Sequence, residues 1–364
     1  MGALRSGRGV VALALLGCAG WATANHASAA QPLPMPFPID SATSPSDRPA
    51  RPFGKSYRGP IFDTHTHLDP DEKHDVADPS AVTAGLKMAD VRRLVLLPTP
   101  NAGRTDKIGL ALSHMQLLRR NSNGRVTVLC GSDYLTEWMN SALFGRSAAE
   151  IDRQMVRLAS DLKKGSCDGV GEIGFRHYDK SRVGAQLLIN VPAGYPPLLA
   201  IADTAARTGV PLDLHAEPVE PDGTRHEAEV FGTIALMFER NPNLQLILSH
   251  TAMTNIRNAR ALLTAFPSLM MNINFAKHRH GMWRNLEAVS DAEGRLYSDW
   301  SALFEEMPDR FMVGSDMFFS RVSGPDEEYQ RRIRHIRRSL GSLAPDAARR
   351  IAYENAERFF GPLP

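Results

Sequence analysis

Eight short apolar runs recur along the chain: Ile61–His67, Arg93–Pro98, Val126–Gly131, Val170–Gly174, Pro211–His215, Leu244–His250, Leu269–Phe275 and Phe311–Asp316. Most lack polar alternation. A strand buried on both faces reads this way, because neither set of alternate side chains meets water. Between the runs the apolar period lengthens. Ile151, Met155, Leu158 and Leu162 fall at i, i+4, i+7 and i+11, one face of a helix. Tyr195–Thr208 and Asn255–Phe266 repeat in the same manner. A last helix is predicted from about Pro345 to Phe360, with Pro345 suited to its first turn and Gly361-Pro362 to its end.

Strand and helix thus alternate over the 256 residues from Ile61 to Asp316, the usual extent of a (β/α)8 barrel. The domain is placed at residues 61–364. An open doubly wound sheet is the competing architecture. The count of eight strands favours the barrel. There is no internal repeat and no glycine-rich phosphate loop.

The first sixty residues read differently. Arg5 and Arg8 precede an unbroken apolar run, Val10–Leu16, and Ala27-Ser28-Ala29 offers small residues at a cleavage spacing. Residues 1–30 are therefore expected to be a signal peptide, and the protein to be exported, periplasmic or secreted. The run is too short for a membrane span. Cys18 after Leu16-Gly17 leaves a lipoprotein anchor as the alternative. Residues 31–60 hold eight prolines and read as an extended linker.

Charge changes the picture only by exclusion. Residues 1–30 carry two basic residues and no acidic one, so 40 basic and 40 acidic residues remain beyond them. That balance gives no footprint for nucleic acid. Cys130 and Cys167 also remain. An oxidising compartment would permit a disulfide, but their positions in and beside predicted strands favour two buried thiols.

The chemistry gathers at the strand ends. Asp63-Thr64-His65-Thr66-His67 closes the first strand, and alternation puts His65 and His67 on one side, where two imidazoles can chelate one divalent ion. Glu172, within Gly171-Glu172-Ile173-Gly174, is a carboxylate in an apolar strand and must meet cations or donors. His215, His250 and Asp316 each close a further strand. In a barrel these ends converge on one face, so His65, His67, Glu172, His215, His250 and Asp316 form the candidate metal site. Asp63 is a candidate acceptor for a ligand imidazole, or else a solvated strand start. Glu217 and Thr251 follow ligand positions and could touch either the metal site or the substrate.

The order His-x-His, Glu, His, His, Asp resembles the amidohydrolase superfamily of metal-dependent barrel hydrolases. Gly171-Glu172-Ile173-Gly174 is similar to its TatD-type branch. Asp213-Leu214-His215-Ala216-Glu217, Val313-Gly314-Ser315-Asp316 and Ile351–Ala356 are more similar to the amidohydrolase-related group, which includes decarboxylases. The resemblance covers about residues 60–361. It implies one metal on His65, His67 and Asp316 and a second on His215 and His250, bridged by Glu172 where the family often has a carboxylated lysine. Zinc is the leading choice, with manganese, iron or cobalt as alternatives. It further implies hydrolysis of an ester, lactone or amide with Asp316 as general base. A mononuclear decarboxylase, a TatD-like nuclease and a scaffold without turnover are the competing readings.

Two basic segments follow the fourth and seventh strands. One contains Arg176, His177, Tyr178, Lys180 and Arg182; the other Lys277, His278, Arg279, His280 and Arg284. They are expected to overhang the mouth and select a small anionic substrate, with Arg176, Tyr178, Lys277, His278, Arg279 and His280 as contacts. Trp138, Met282 and Trp283 are candidates for an apolar wall.

Overall fold

The computed structural model describes residues 33–363 except 34, 36, 43, 45–46, 69–78, 101–104, 142–144, 179–186, 221–222, 276–287, 292 and 320–324. Among the described residues ten strands occur: β1 Phe62–His67, β2 Arg93–Leu96, β3 Val126–Gly131, β4 Gly169–Tyr178, β5 Leu187–Asn190, β6 Leu212–Ala216, β7 Leu246–Leu248, β8 Met270–Ile273, β9 Phe311–Val313 and β10 Met317–Phe318. The helices between and after them are α1 Pro79–Met88, α2 Thr105–Asn121, α3 Ser132–Asn140, α4 Ala148–Lys163, α5 Pro196–Thr208, α6 Glu227–Arg240, α7 Ile256–Ala265, α8 Ser298–Glu306, α9 Pro325–Leu340, α10 Pro345–Arg349 and α11 Asn355–Phe360. None is long and apolar enough to cross a membrane among the described residues.

The strands follow one another in a parallel sheet ordered β10, β1, β2, β3, β4, β6, β7, β8, β9. β9 pairs with β8, while β10, three residues further on, pairs with β1 through Thr66 and Met317. The two short strands together fill the eighth position and close a (β/α)8 barrel. β5 lies outside this cycle. It folds back antiparallel on the far end of β4, pairing Arg176 with Asn190 and His177 with Ile189. This hairpin was not among the expected strands, and it extends β4 four residues beyond Gly174.

Register explains why the site sits at one end. Residues paired across neighbouring strands share a side of the sheet. Asp213 pairs with Ile247, Ile247 with Met270, and Asn272 with Met312. Phe62, Val95, Leu97, Leu129, Ile247, Met270 and Met312 form an apolar floor, while the polar His65, His67, His215, His250 and Asp316 stand toward or past their strand ends. Tyr353 and Ala356 of the C-terminal segment pack onto that apolar floor with Phe359 and Phe360. The predicted C-terminal helix exists, with a π turn at Arg350–Glu354 between α10 and α11. Asn355 anchors it by donating to the carbonyls of Pro308 at 2.6 Å and Phe311 at 2.8 Å.

The proline-rich segment and the two cysteines both make contacts with this framework. The proline-rich segment is extended but laid against the barrel, with Met35, Phe37 and Ile39 packed on the outer core. Apolar residues between its prolines supply that contact. Arg51 anchors it further by a two-pronged bond to Glu305 on α8, at 2.7 and 2.9 Å. Cys130 and Cys167 form a disulfide rather than two thiols. The α4 crossover returns the chain beside β3, so both cysteines arrive at one edge of the β3–β4 pair.

Candidate metal centre

The strand ends bring His65, His67, Glu172, His215, His250 and Asp316 into one buried cluster. None exposes more than 6% of its surface. Glu172 lies at its middle. Its Oε2 is 3.4 Å from His65 Nε2 and 3.8 Å from His67 Nε2. Its Oε1 is 2.6 Å from His215 Nδ1 and 3.8 Å from His250 Nε2. Asp316 Oδ1 lies 3.2 Å from His67 Nε2 and 4.0 Å from His65 Nε2. Three groupings result that could each surround an ion: His65, Glu172 and His250; His65, His67 and Asp316; and His177, His215 and Glu217.

The backbone bends to deliver two of these side chains. His250, Thr251 and Ala252 are left-handed, with φ of 57°, 56° and 55°. Asp316 has φ 54°. Such geometry costs non-glycine residues about 1–3 kcal/mol each and persists where surrounding bonds impose it. Here the His250 N–H donates to Asn272 Oδ1 at 2.8 Å, and Ser249 Oγ donates to Asp213 Oδ1 at 2.5 Å. The Asp316 N–H donates to the His65 carbonyl at 2.8 Å. Its Oδ2 accepts from Asn274 at 3.1 Å and its own carbonyl accepts from Arg332 at 3.1 Å. Gly314 lets this turn approach closely: a Cβ there would lie 2.9 Å from that of His65.

The electrostatics favour a cation. Burial alone would push the Glu172 carboxyl up, but His65 and His215 outweigh it and hold it well below its usual range. Burial likewise opposes a charged His65, yet Glu172 and Asp213 raise it well above its ordinary value. His65 Nε2 is a buried polar atom that meets no hydrogen-bond partner among the described residues. A donor set of imidazoles and carboxylates without thiolate fits zinc, manganese, iron or cobalt. The residues present thus suit a divalent metal.

Several expected roles are redistributed. Asp63 is neither solvated nor an acceptor for a ligand imidazole: its Oδ1 accepts from the Ser315 N–H at 2.8 Å and its Oδ2 from the Tyr329 hydroxyl at 2.9 Å. Asp213 instead faces His65 Nδ1, at 3.6 Å, and Asn272 Nδ2 lies 3.1 Å from the same nitrogen. Asp213 stands two residues before His215 on the same side of β6, the offset that Asp63 also has from His65, so alternation marked both without telling them apart. Arg176 and Tyr178 are buried and bonded to each other at 2.8 Å, and Arg176 is also matched by Glu220 at 3.5 Å and Glu229 at 3.4 Å. The register of β4 against β6 shifts between Gly174 and Arg176, where this pairing with acids begins. Trp138 is partly buried against the outer core, with the Arg146 guanidinium over its ring at 5.3 Å. Thr251 bonds locally to the His250 carbonyl at 2.6 Å. Lys180, Arg182, Lys277, His278, Arg279, His280, Met282, Trp283 and Arg284 lie outside the described residues.

A closed (β/α)8 barrel with imidazoles and carboxylates gathered at the carboxyl ends of its strands defines an enzyme of the metal-dependent hydrolase class. The chain belongs to the amidohydrolase family, whose profile matches residues 62–361. No curated protein sequence matches it. Solved structures of similar fold include a probable 2-pyrone-4,6-dicarboxylic acid hydrolase from Acinetobacter baumannii, at 12% identity and TM-score 0.52 over 82% of this chain and 98% of that one. IDCase from Metarhizium anisopliae is similar at 13% identity and TM-score 0.51, over 83% and 97%. 4-Oxalomesaconate hydratase from Rhodopseudomonas palustris is similar at 11% identity and TM-score 0.51, over 82% and 95%. At such identities these structures speak to the barrel alone.

Proposed function

We propose that the chain is an exported hydrolase that holds two divalent ions, zinc foremost, and cleaves a carboxylic ester, lactone or amide. The division of labour on Glu172 carries this reading. One of its oxygens faces His65 and His67, and the other faces His215 and His250. A carboxylate so placed between two imidazole pairs has a clear use as a bridge between two ions. Ions held there would acidify water and polarise the scissile carbonyl.

The chain's own contribution is proton transfer and alignment. Asp316 Oδ2 is held by Asn274 and its backbone by Arg332, which leaves its carboxylate fixed at the rim of the cluster. Asp316 takes the proton from the attacking water and returns it to the leaving group. Asp213 and Asn272 orient the His65 ring from beneath. Export is supported by the apolar run after Arg5 and Arg8 and by the Cys130–Cys167 disulfide, a bond that persists in oxidising compartments.

Elemental analysis of the purified protein beside a Glu172→Ala variant tests the reading. Two ions per chain should fall to one or none in the variant, and the wild type should turn over members of an ester, lactone and amide panel. A single ion unaffected by the loss of Glu172 would overturn the bridged site and move the assignment to a mononuclear enzyme such as a decarboxylase.

A further inference from the structure

We propose that Asn272 is a positioning residue that latches a left-handed turn and so delivers His250 to the cluster; this rests on the metal-site reading above. His250, Thr251, Ala252 and Met253 follow one another with φ of 57°, 56°, 55° and 45°, and none of them is glycine. L-residues resist this region because Cβ crowds the following carbonyl oxygen. A run of this kind persists only where its neighbours impose it. The turn leads from the end of β7 at Leu248 to α7 at Ile256, which Asn255 caps by accepting the Asn258 N–H at 2.9 Å. It places His250 Nε2 at 3.8 Å from Glu172 Oε1 and 4.0 Å from Asp316 Oδ2.

The restraint on the first residue of the turn comes from β8, which supplies none of the six candidate ligands. The His250 N–H donates to Asn272 Oδ1 at 2.8 Å. A backbone N–H can only donate, so this bond fixes the amide with its oxygen toward the turn. Nδ2 then faces Asp213 Oδ2 at 3.4 Å and lies 3.1 Å from His65 Nδ1. Asp213 in turn accepts from Ser249 Oγ at 2.5 Å, the residue before His250. Asn272, Asp213 and Ser249 are all buried. Gly314 closes in from the β9 side, where an added Cβ would lie 3.2 Å from the Asn272 Cβ. β6, β7 and β8 thus converge on the two residues where the turn begins. Asn272 acts on an ion only through the backbone of His250.

Zinc titration of metal-free full-length protein, read with a competing chelating dye, tests the latch. Asn272→Leu keeps the branched shape and removes the acceptor, and it should weaken zinc binding by about 10–100-fold. Glycine adopts the left-handed region without the Cβ penalty. Ala252→Gly should therefore leave zinc affinity unchanged in the wild-type background. In Asn272→Leu it should win back about 5-fold or more of the loss. A side chain that merely packs would leave a defect that glycine does not repair. Unaltered zinc affinity in Asn272→Leu, or a loss that Ala252→Gly leaves untouched, would overturn the proposal. Should Asn272→Leu fail to fold, amide hydrogen exchange in metal-free wild type decides. The His250 N–H should exchange as slowly as the amides of β6 and β7, and exchange at the rate of exposed loops would overturn the latch. A wild type that binds no zinc, or a His250→Ala variant that binds like wild type, would instead bring down the metal-site reading beneath it.

Discussion

Tyr329 on α9 donates its hydroxyl proton to Asp63 Oδ2 across 2.9 Å, tying the outer helix layer to the first barrel strand. Asp63 passes that restraint onward, since its Oδ1 accepts from the N–H of Ser315, the residue before Asp316. Burial pushes the Asp63 carboxyl up, and the Tyr329 hydroxyl well up by burial and the adjacent carboxyl. Tyr329→Phe removes the donor and leaves a buried carboxyl oxygen unmet. It should cost about 1–3 kcal/mol in urea unfolding. It should also lower kcat more than it changes KM, because the turn carrying Asp316 loses its brace. An unchanged unfolding midpoint would show that the bond contributes nothing.

Asp316→Asn separates chemistry from architecture at that turn. Asn tolerates the left-handed φ of 54° seen at this position as well as Asp does, and its amide oxygen can still accept from Asn274. The barrel should therefore fold normally by circular dichroism. Turnover should fall by at least about 100-fold, the low end of what a positioned general base contributes. Full activity in this variant would remove Asp316 from the proton-transfer role.

How far the sequence could reach is visible in these same residues. Strands buried on both faces must be apolar throughout, so all eight barrel positions were legible as runs. The polar residues that interrupt those runs at their ends, His65, His67, Glu172, His215, His250 and Asp316, stood out for the same reason. Partnerships were less legible. Asp63 and Asp213 sit at the same offset from a histidine, two residues before it, and nothing local distinguishes them. Only the positions of Tyr329 and Ser315 on one side and of His65 on the other separate their roles. Arg176 read as a mouth cation because its acids, Glu220 and Glu229, lie more than forty residues away in the chain. The β4–β5 hairpin escaped because a four-residue strand after a basic segment carries little periodicity.

The disulfide offers a test that bears on stability and on compartment together. Cys130 and Cys167 are 37 residues apart, and closing a loop of that size restricts the unfolded chain by about 2–4 kcal/mol. Reduction with dithiothreitol, or Cys167→Ser, should lower the unfolding free energy by that amount without dismantling the metal cluster, which shares no side chain with the bond. Thiol counting under denaturing conditions checks the premise. Two reactive thiols at these positions in protein recovered from an oxidising compartment would refute it.

The docked N-terminal segment gives the pH dependence its clearest handle away from the metal cluster. Glu305 accepts two bonds from Arg51 and a third from the Ala344 N–H at 2.9 Å. The Arg51 bond, with the Ala344 N–H in support, holds its carboxyl below the usual value of 4.5 against the opposing effect of burial. A carboxyl depressed in the folded state binds protons more readily when unfolded. Its contribution is therefore complete above the unfolded pKa and disappears as pH falls through the lower folded value. Both side chains remain about 30% exposed, so the pair is worth at most about 1 kcal/mol. Arg51→Met should destabilise the protein by up to that amount at pH 7. The gap between variant and wild type should then narrow as urea titrations are repeated toward pH 3. A gap that stayed constant or widened in acid would show that Arg51 holds the segment by packing rather than by its charge.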